Sequence, residues 1–331
     1  MMPVNKDLWV YIETGRDGSA LEAGLQLLTP GRRLADECGG RLTAVILGYD
    51  TAEAVETVSR LGTDRIITVD SEQLKEYSTD TWTDVLYRLA KKYSPDVFII
   101  GATARGRDFA PRLSSRLDTG LTADCTGLDL SSGKDYVEWT RPALGGNILA
   151  TIACRKHRPQ MGTVRPGVFK KAAPSDRNPE IIREDFTSPV LKRVKLLRTV
   201  SEAAEDMADF DSADIIVSGG RGLGSSDGFR LIESFADALG ASVGASRAAV
   251  DAGWISHSHQ VGQTGSSVSP KLYIACGISG AVQHAAGISG AECIAAINSD
   301  KDAPIFKIAD FGIVGDLYEV IPEIIKELKR K

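Results

Sequence analysis

The stretch Gly244–His284 reads GASRAAVDAGWISHSHQVGQTGSSVSPKLYIACGISGAVQH. Three loops of Gly, Ser, Thr and Gln follow one another in it. The first is Gly244-Ala245-Ser246-Arg247. The second is Gln260-Val261-Gly262-Gln263-Thr264-Gly265. The third, Gly277-Ile278-Ser279-Gly280-Ala281-Val282-Gln283-His284, follows the apolar run Leu272-Tyr273-Ile274-Ala275-Cys276 and opens a helix. A strand, a tight glycine turn and a helix start are the unit of an α/β fold with a parallel sheet. The same unit forms an anion site, because free backbone N–H groups and the helix dipole point at one spot. Glycine lets a phosphate come close to the backbone. Arg247, Gln263, Thr264 and His284 add charge and directional hydrogen bonds around whatever the phosphate carries. One glycine turn after a strand is usually structural. Three in one stretch, with an Arg, a Thr and a His among them, point to a bound nucleotide.

Working outward, the N-terminal half repeats the same alternation. Strands are expected at Leu8–Ile12, Leu42–Leu47, Arg65–Val69 and Val97–Ile100, and helices at Leu21–Cys38, Thr51–Leu61, Thr79–Tyr93 and Phe109–Leu117. The strands are continuously apolar, as buried parallel strands are. Gly101 to Asp108, GATARGRD, lies between a strand and a helix. It is either a second nucleotide site or a plain turn where the strand order reverses, and the plain turn is favoured. From Thr119 to Val168 the pattern changes. Strands Tyr136–Pro142 and Ile148–Cys154 precede the basic run Arg155–Val168, expected as a fixed surface for subunit contact. Lys170–Pro189 is polar with weak periodicity.

In the C-terminal half, Asp214–Ser218 reads as a strand and Phe229–Leu239 as an amphipathic helix. Gly222-Leu223-Gly224 begins a dinucleotide fingerprint, but position 227 is Asp227, so the third glycine is missing. A self-sufficient NAD-dependent dehydrogenase is therefore poorly supported, and the P-loop pattern is absent. Arg221 remains a candidate phosphate ligand. Asn298 and Asp316 stand at strand ends, where ribose hydroxyls and adenine edges are hydrogen-bonded.

The chain has 331 residues, 43% of them hydrophobic and 25% charged, enough for two domains with their own cores. The net charge of −5 gives no reason to expect nucleic acid as a partner. No apolar run reaches transmembrane length, and Met1 to Asp7 leads into a strand without a signal peptide. Cys38, Cys125, Cys154, Cys276 and Cys293 are scattered, which suits reduced thiols and a cytoplasmic location. His257 and His259 lack partners at metal spacing, so no metal site is expected.

The segments SRAAVDAGW (246–254), QVGQTG (260–265), LYIACGISGAVQH (272–284) and APIFKIADFGIVGDL (303–317) resemble the C-terminal domain of electron transfer flavoprotein α-subunits. The likeness extends to TGLTADCTGLD (119–129) and RPQMGTVRPGVF (158–169). It implies two doubly wound parallel-sheet domains, the second a FAD-binding, Rossmann-like one. The expected divisions are 1–190, a linker at 191–204 serving as hinge, and 205–331. Carried over by motif, the adenosine and diphosphate of FAD would meet Arg221, Ser279, Gly280, Asn298, Asp316 and Leu317. The flavin ring would meet Ser246, Arg247, Gln263, Thr264 and a protonated or donating His284. No residue is needed as nucleophile or general base, because the chemistry belongs to the cofactor.

The resemblance also implies a β-subunit partner, carrying a second FAD or AMP, and a flavin dehydrogenase such as an acyl-CoA dehydrogenase. TGLTADCTGLD, GGNILATIAC (145–154) and HRPQMGTVRPGVF (157–169) look most like α-subunits of anaerobic, electron-bifurcating flavoproteins. There, ferredoxin or flavodoxin takes the second electron from NADH. A non-bifurcating carrier to a quinone reductase and a flavin-free nucleotide-binding scaffold are the alternatives.

Overall fold

The computed structural model describes residues 6–143, 148–186, 194, 196–197, 210 and 213–330. The chain forms two compact units, residues 1–199 and 200–331. The expected linker, 191–204, lies almost wholly outside the described residues. No helix among the described residues is long and apolar enough to cross a membrane.

The first unit runs β1 (Asp7–Ile12), α1 (Glu22–Cys38), β2 (Arg41–Gly48), α2 (Ala52–Ser59), β3 (Arg65–Asp70), α3 (Thr79–Tyr93), β4 (Val97–Gly101) and α4 (Ala104–Arg116). It continues with β5 (Leu121–Cys125), β6 (Gly127–Leu130), β7 (Val137–Ala143), β8 (Ile148–Ile152), β9 (Gln160–Val164) and β10 (Glu180–Arg183). Seven strands form a parallel sheet in the order β10-β3-β2-β1-β4-β9-β5, and β6-β7-β8 form a separate antiparallel sheet. Alternate residues of β1 go to opposite faces. Val10 and Ile12 join one apolar cluster with α1, and Trp9 and Tyr11 join another with α3 and α4. Both faces are covered, which is why these strands are apolar throughout.

Three expectations are corrected here. The basic run Arg155–Val168 is not one surface: its middle is β9, fully buried between β4 and β5. The strand was masked by its polar residues, which have buried work. The Gln160 side-chain oxygen accepts from the Val137 N–H at 2.7 Å, and its amide donates to Asp96 at 3.3 Å. Gly162 leaves room for the Trp139 ring, 2.2 Å from where a Cβ would stand. The polar stretch Lys170–Pro189 contains β10, an edge strand paired with β3. Helix α4 begins at Ala104, five residues before Phe109, because the Thr103 side chain accepts from the Gly106 N–H at 3.1 Å and caps it.

The second unit runs β11 (Ile215–Gly219), α5 (Phe229–Leu239), β12 (Ser242–Ala245), α6 (Arg247–Asp251), β13 (Leu272–Cys276), α7 (Val282–Ile288), β14 (Ile294–Asn298), β15 (Phe311–Val314) and α8 (Leu317–Leu328). Its parallel sheet has the order β12-β11-β13-β14-β15. Gly244 and Ala245 therefore close a strand and do not form a loop. In this order the chain reverses direction of winding between β11 and β13. That is the switch point, and the crevice beyond the C-terminal ends of these two strands is where doubly wound sheets bind ligands.

Candidate functional site

A cleft of about 670 Å³ opens at the second unit's switch point. That is the size of ordinary ligand pockets. Its floor is made where the loops after β11 and β13 cross. The Gly222 N–H donates to the Gly277 carbonyl at 2.9 Å, and the Gly220 N–H donates to the Cys276 carbonyl at 2.9 Å. A Cβ on Gly220 would stand 2.3 Å from the Gly277 carbonyl oxygen, and Gly277 itself has φ +61°. Only glycine permits this approach. The broken fingerprint beginning at Gly222 thus serves backbone packing, and its missing third glycine costs nothing there.

The other loops close the walls. The Gln263 N–H donates to the Gln283 carbonyl at 2.8 Å, tying the second loop to the third. The Gln260 amide donates to the Thr264 hydroxyl at 3.0 Å. Arg221 and Gly222 line one end with Gly277, Ile278 and Ser279; Ser246 and Arg247 line another part, with Gln260, Val261, Gly262, Gln263 and Thr264. Ala281, Gln283, His284 and Asn298 complete the expected set that faces the cleft.

Five expected residues do not line it. Gly265 is a tight-turn position, where a Cβ would meet the Gln260 carbonyl oxygen at 2.2 Å. Gly280, at φ +82°, packs on the Ile305 backbone. Val282 begins α7 and is exposed. Asp316 caps α8 by accepting from the Tyr318 N–H at 2.9 Å, and Leu317 is buried in the core beside Gly277. Asn298 reaches the cleft, but its side chain is already occupied: the amide donates to the Ile278 carbonyl at 3.0 Å and its oxygen accepts from the Asp300 N–H at 3.0 Å. It holds two loops together. Asp251, Asp300, Ala248, Ala303 and Pro304 also line the cleft and were not anticipated. Asp251 was findable: it stands one helical turn after Arg247, whose Nε lies 3.2 Å from its carboxylate.

Two buried polar atoms of the lining have no hydrogen-bond partner, Ser246 Oγ and His284 Nδ1. Leaving such atoms unpaired costs about 1–3 kcal/mol each, and a polar ligand in the cleft would offset that cost. The other ring nitrogen of His284, Nε2, lies 2.9 Å from the Tyr273 hydroxyl. Burial pulls the imidazole pKa down to about 4, against an opposing pull from the Val261 backbone. At neutral pH His284 is therefore uncharged, so of the expected protonated or donating ring only the donating form fits, with one ring nitrogen as donor and the other as acceptor. Burial also pushes the Cys276 thiol up to about 12, so it is unreactive beneath the site. Helix α7 has seven residues, too short for a large dipole. The polar loop side chains, with Arg221 and Arg247, supply the anion-binding character instead.

A bound FAD fits this lining: unpaired donors and acceptors deep in the cleft, cationic side chains at its rim, and glycine backbone between them. Comparison with known proteins agrees. Residues 8–189 match the electron transfer flavoprotein domain, and residues 209–289 match the electron transfer flavoprotein FAD-binding domain. The electron transfer flavoprotein subunit alpha of Thermoanaerobacterium thermosaccharolyticum is 50% identical over 329 residues, covering 98% of each chain. The subunit of the same name from Clostridium acetobutylicum is 45% identical, covering 98% of this chain and 97% of its own. The acryloyl-CoA reductase electron transfer subunit beta of Anaerotignum propionicum is 42% identical, covering 98% and 96%. The chain belongs to the electron transfer flavoprotein α-subunit family, and its cofactor is FAD.

Proposed function

We propose that the switch-point cleft of the second unit holds the FAD, and that the chain passes single electrons between a β-subunit and a partner dehydrogenase. The observation that carries this is the pair of buried, unpartnered polar atoms, Ser246 Oγ and His284 Nδ1, in a glycine-floored cleft with Arg221 and Arg247 at its rim. Bound FAD supplies one- and two-electron redox chemistry. The residues supply the rest. Ser246, Arg247, Gln263, Thr264 and His284 hold the ring end, and Arg247 offers positive charge where negative charge grows on reduction. Arg221 and the backbone around Ser279 hold the diphosphate. Asn298 keeps the loops of the adenosine end in place. No side chain transfers a proton as a required step.

The partner β-subunit carries a second FAD or an AMP, and the dehydrogenase is of the acyl-CoA type. The relative named as part of an acryloyl-CoA reductase supports that class. The exposed apolar residues of β8, Ile148 and Ile152 on one face and Leu149 on the other, suit a subunit contact. In this proposal the complex works in the cytoplasm and bifurcates electrons from NADH, with ferredoxin or flavodoxin as the low-potential acceptor. The test is the visible spectrum of the co-purified heterodimer, with FAD counted per pair of subunits. Two FAD, and NADH oxidation that requires the low-potential acceptor, are expected. One FAD with one AMP would leave a simple carrier, and a colourless heterodimer would leave a flavin-free scaffold.

A further inference from the structure

Tyr273 does not line the cleft. It stands inside β13, completely buried in an apolar cluster with Val261, Ile278 and Ile288. A phenol in such a place must find a partner for its hydroxyl. That partner is His284, with the oxygen 2.9 Å from Nε2 and the ring centroids 5.9 Å apart at 56°. We propose that Tyr273 is a positioning residue: its hydroxyl donates to His284 Nε2 and holds the neutral imidazole in the tautomer that presents Nδ1–H as a donor to the cleft.

Two observations set the direction of the bond. Both groups are neutral, since burial raises the Tyr273 pKa and lowers that of His284, so one proton lies between oxygen and Nε2. If Nε2 donated instead, the phenol proton would need a second acceptor. The candidate is Ser218 Oγ on the adjacent strand β11, which is buried and close enough to pull against the raised Tyr273 pKa, but makes no hydrogen bond of normal geometry. With the phenol donating to an unprotonated Nε2, the neutral ring carries its one proton on the second nitrogen. That nitrogen, Nδ1, is one of the two lining atoms that make no hydrogen bond of normal geometry, with the Val261 backbone near the ring. The consequence for the cofactor rests on the proposed place of FAD. A flavin's pyrimidine side presents carbonyl oxygens and ring nitrogens that accept hydrogen bonds and gain charge on reduction. A fixed N–H facing them is favourable, and a lone pair there is repulsive. Tyr273 thus acts on the cofactor through the tautomer of another residue, as an outer partner does for a ligating histidine.

The chain has four histidines, so the full-length protein labelled with ¹⁵N-histidine gives a spectrum simple enough to read. His284→Gln assigns the signal. Without FAD, His284 is expected to show a protonated Nδ1 and an unprotonated Nε2. In Tyr273→Phe this preference is lost, the FAD dissociation constant rises roughly three- to tenfold, and the flavin midpoint potential moves to a more negative value. Ser218→Ala leaves all three unchanged. A protonated Nε2 in the wild type overturns the proposal, as does a Tyr273→Phe protein that keeps tautomer, affinity and potential. A Ser218→Ala protein that switches the tautomer also overturns it. If Tyr273→Phe does not fold, the wild-type spectrum and Ser218→Ala decide. If the tautomer is as proposed but added FAD leaves the His284 signals unmoved, the placement of FAD fails while the role of Tyr273 toward His284 stands.

Discussion

Both units have a switch point, and the two have opposite fates. In the first it lies between β1 and β4, where Glu13 fills the crevice. Its carboxylate accepts from the Thr103 hydroxyl at 2.6 Å and pairs with Arg105 Nε at 3.5 Å, while Arg105 also donates to the Thr14 carbonyl at 2.9 Å. The chain's own carboxylate sits at the N-terminus of α4, where a phosphate would otherwise sit. Among the described residues of the second unit, Asp251 and Asp300 line the cleft, but Asp251 pairs with Arg247 and neither pairs with Arg221. Arg221 is exposed with no ion-pair partner among the described residues, and Ser246 Oγ and His284 Nδ1 are left unpaired. Topology makes a crevice in both. The side chains at the strand ends decide whether the protein completes it or a ligand does.

The comparison can be broken first at the glycine floor. Gly277→Ala adds a Cβ at φ +61°, 3.0 Å from the Gly222 Cα. A loss of about 2–4 kcal/mol in the stability of the second unit is expected, with little FAD retained. Thermal unfolding and FAD content measure it; full FAD content would show that the close crossing is not needed.

The second test is acid. The folded pKa of His284, about 4, lies below its ordinary value. The unfolded chain therefore binds more protons between these pH values, and stability falls as pH drops from about 6.5 to 4. His284 adds on the order of 1–3 kcal/mol to that fall. His284→Gln should show a shallower decline than wild type over this window in urea unfolding, and parallel curves would contradict the buried neutral ring.

Much of the molecule was legible in the sequence, for reasons visible in particular elements. Helix α3 and helix α5 have long amphipathic patterns, and α5 ends at Gly240 in the left-handed conformation, so their ends could be read directly. Strand β9 was not legible, because Gln160, Gly162 and Thr163 look like loop residues until Trp139 and Asp96 are seen packed on them. At the site, loop composition located the cleft. It could not show that His284 is buried, nor that Asp316 caps a helix outside the lining. The first depends on packing against Tyr273 in another element, and the second on a side-chain orientation, Asp316 turning to the Tyr318 N–H two residues on, that composition does not show.

The third test sharpens the first unit's side. Glu13→Gln removes the charge that plugs the β1–β4 crevice and leaves Arg105 without its partner. A loss of about 1 kcal/mol in the stability of the first unit is expected, because Arg105 is only partly buried. FAD content should stay unchanged. A fall in FAD content would mean that the two crevices are not independent.

The smallest effect concerns Arg247, paired with Asp251 at an exposed rim. Arg247→Ala should make the flavin midpoint potential more negative by the equivalent of about 1 kcal/mol, with folding unaffected. Asp251→Asn should shift it the other way. Redox titration followed by absorbance reads both; equal potentials in all three proteins would remove Arg247 from the flavin's surroundings.

Hydrogen exchange of the full-length chain, with and without added FAD, compares the two switch points in one experiment. Slower exchange on FAD addition is predicted at Ser246–Arg247, Gln260–Gly265 and Gly277–His284, with no change at Glu13–Gly18 or Gly101–Asp108. Protection at the Glu13 and Gly101 segments, with the second-unit loops unchanged, would contradict the account.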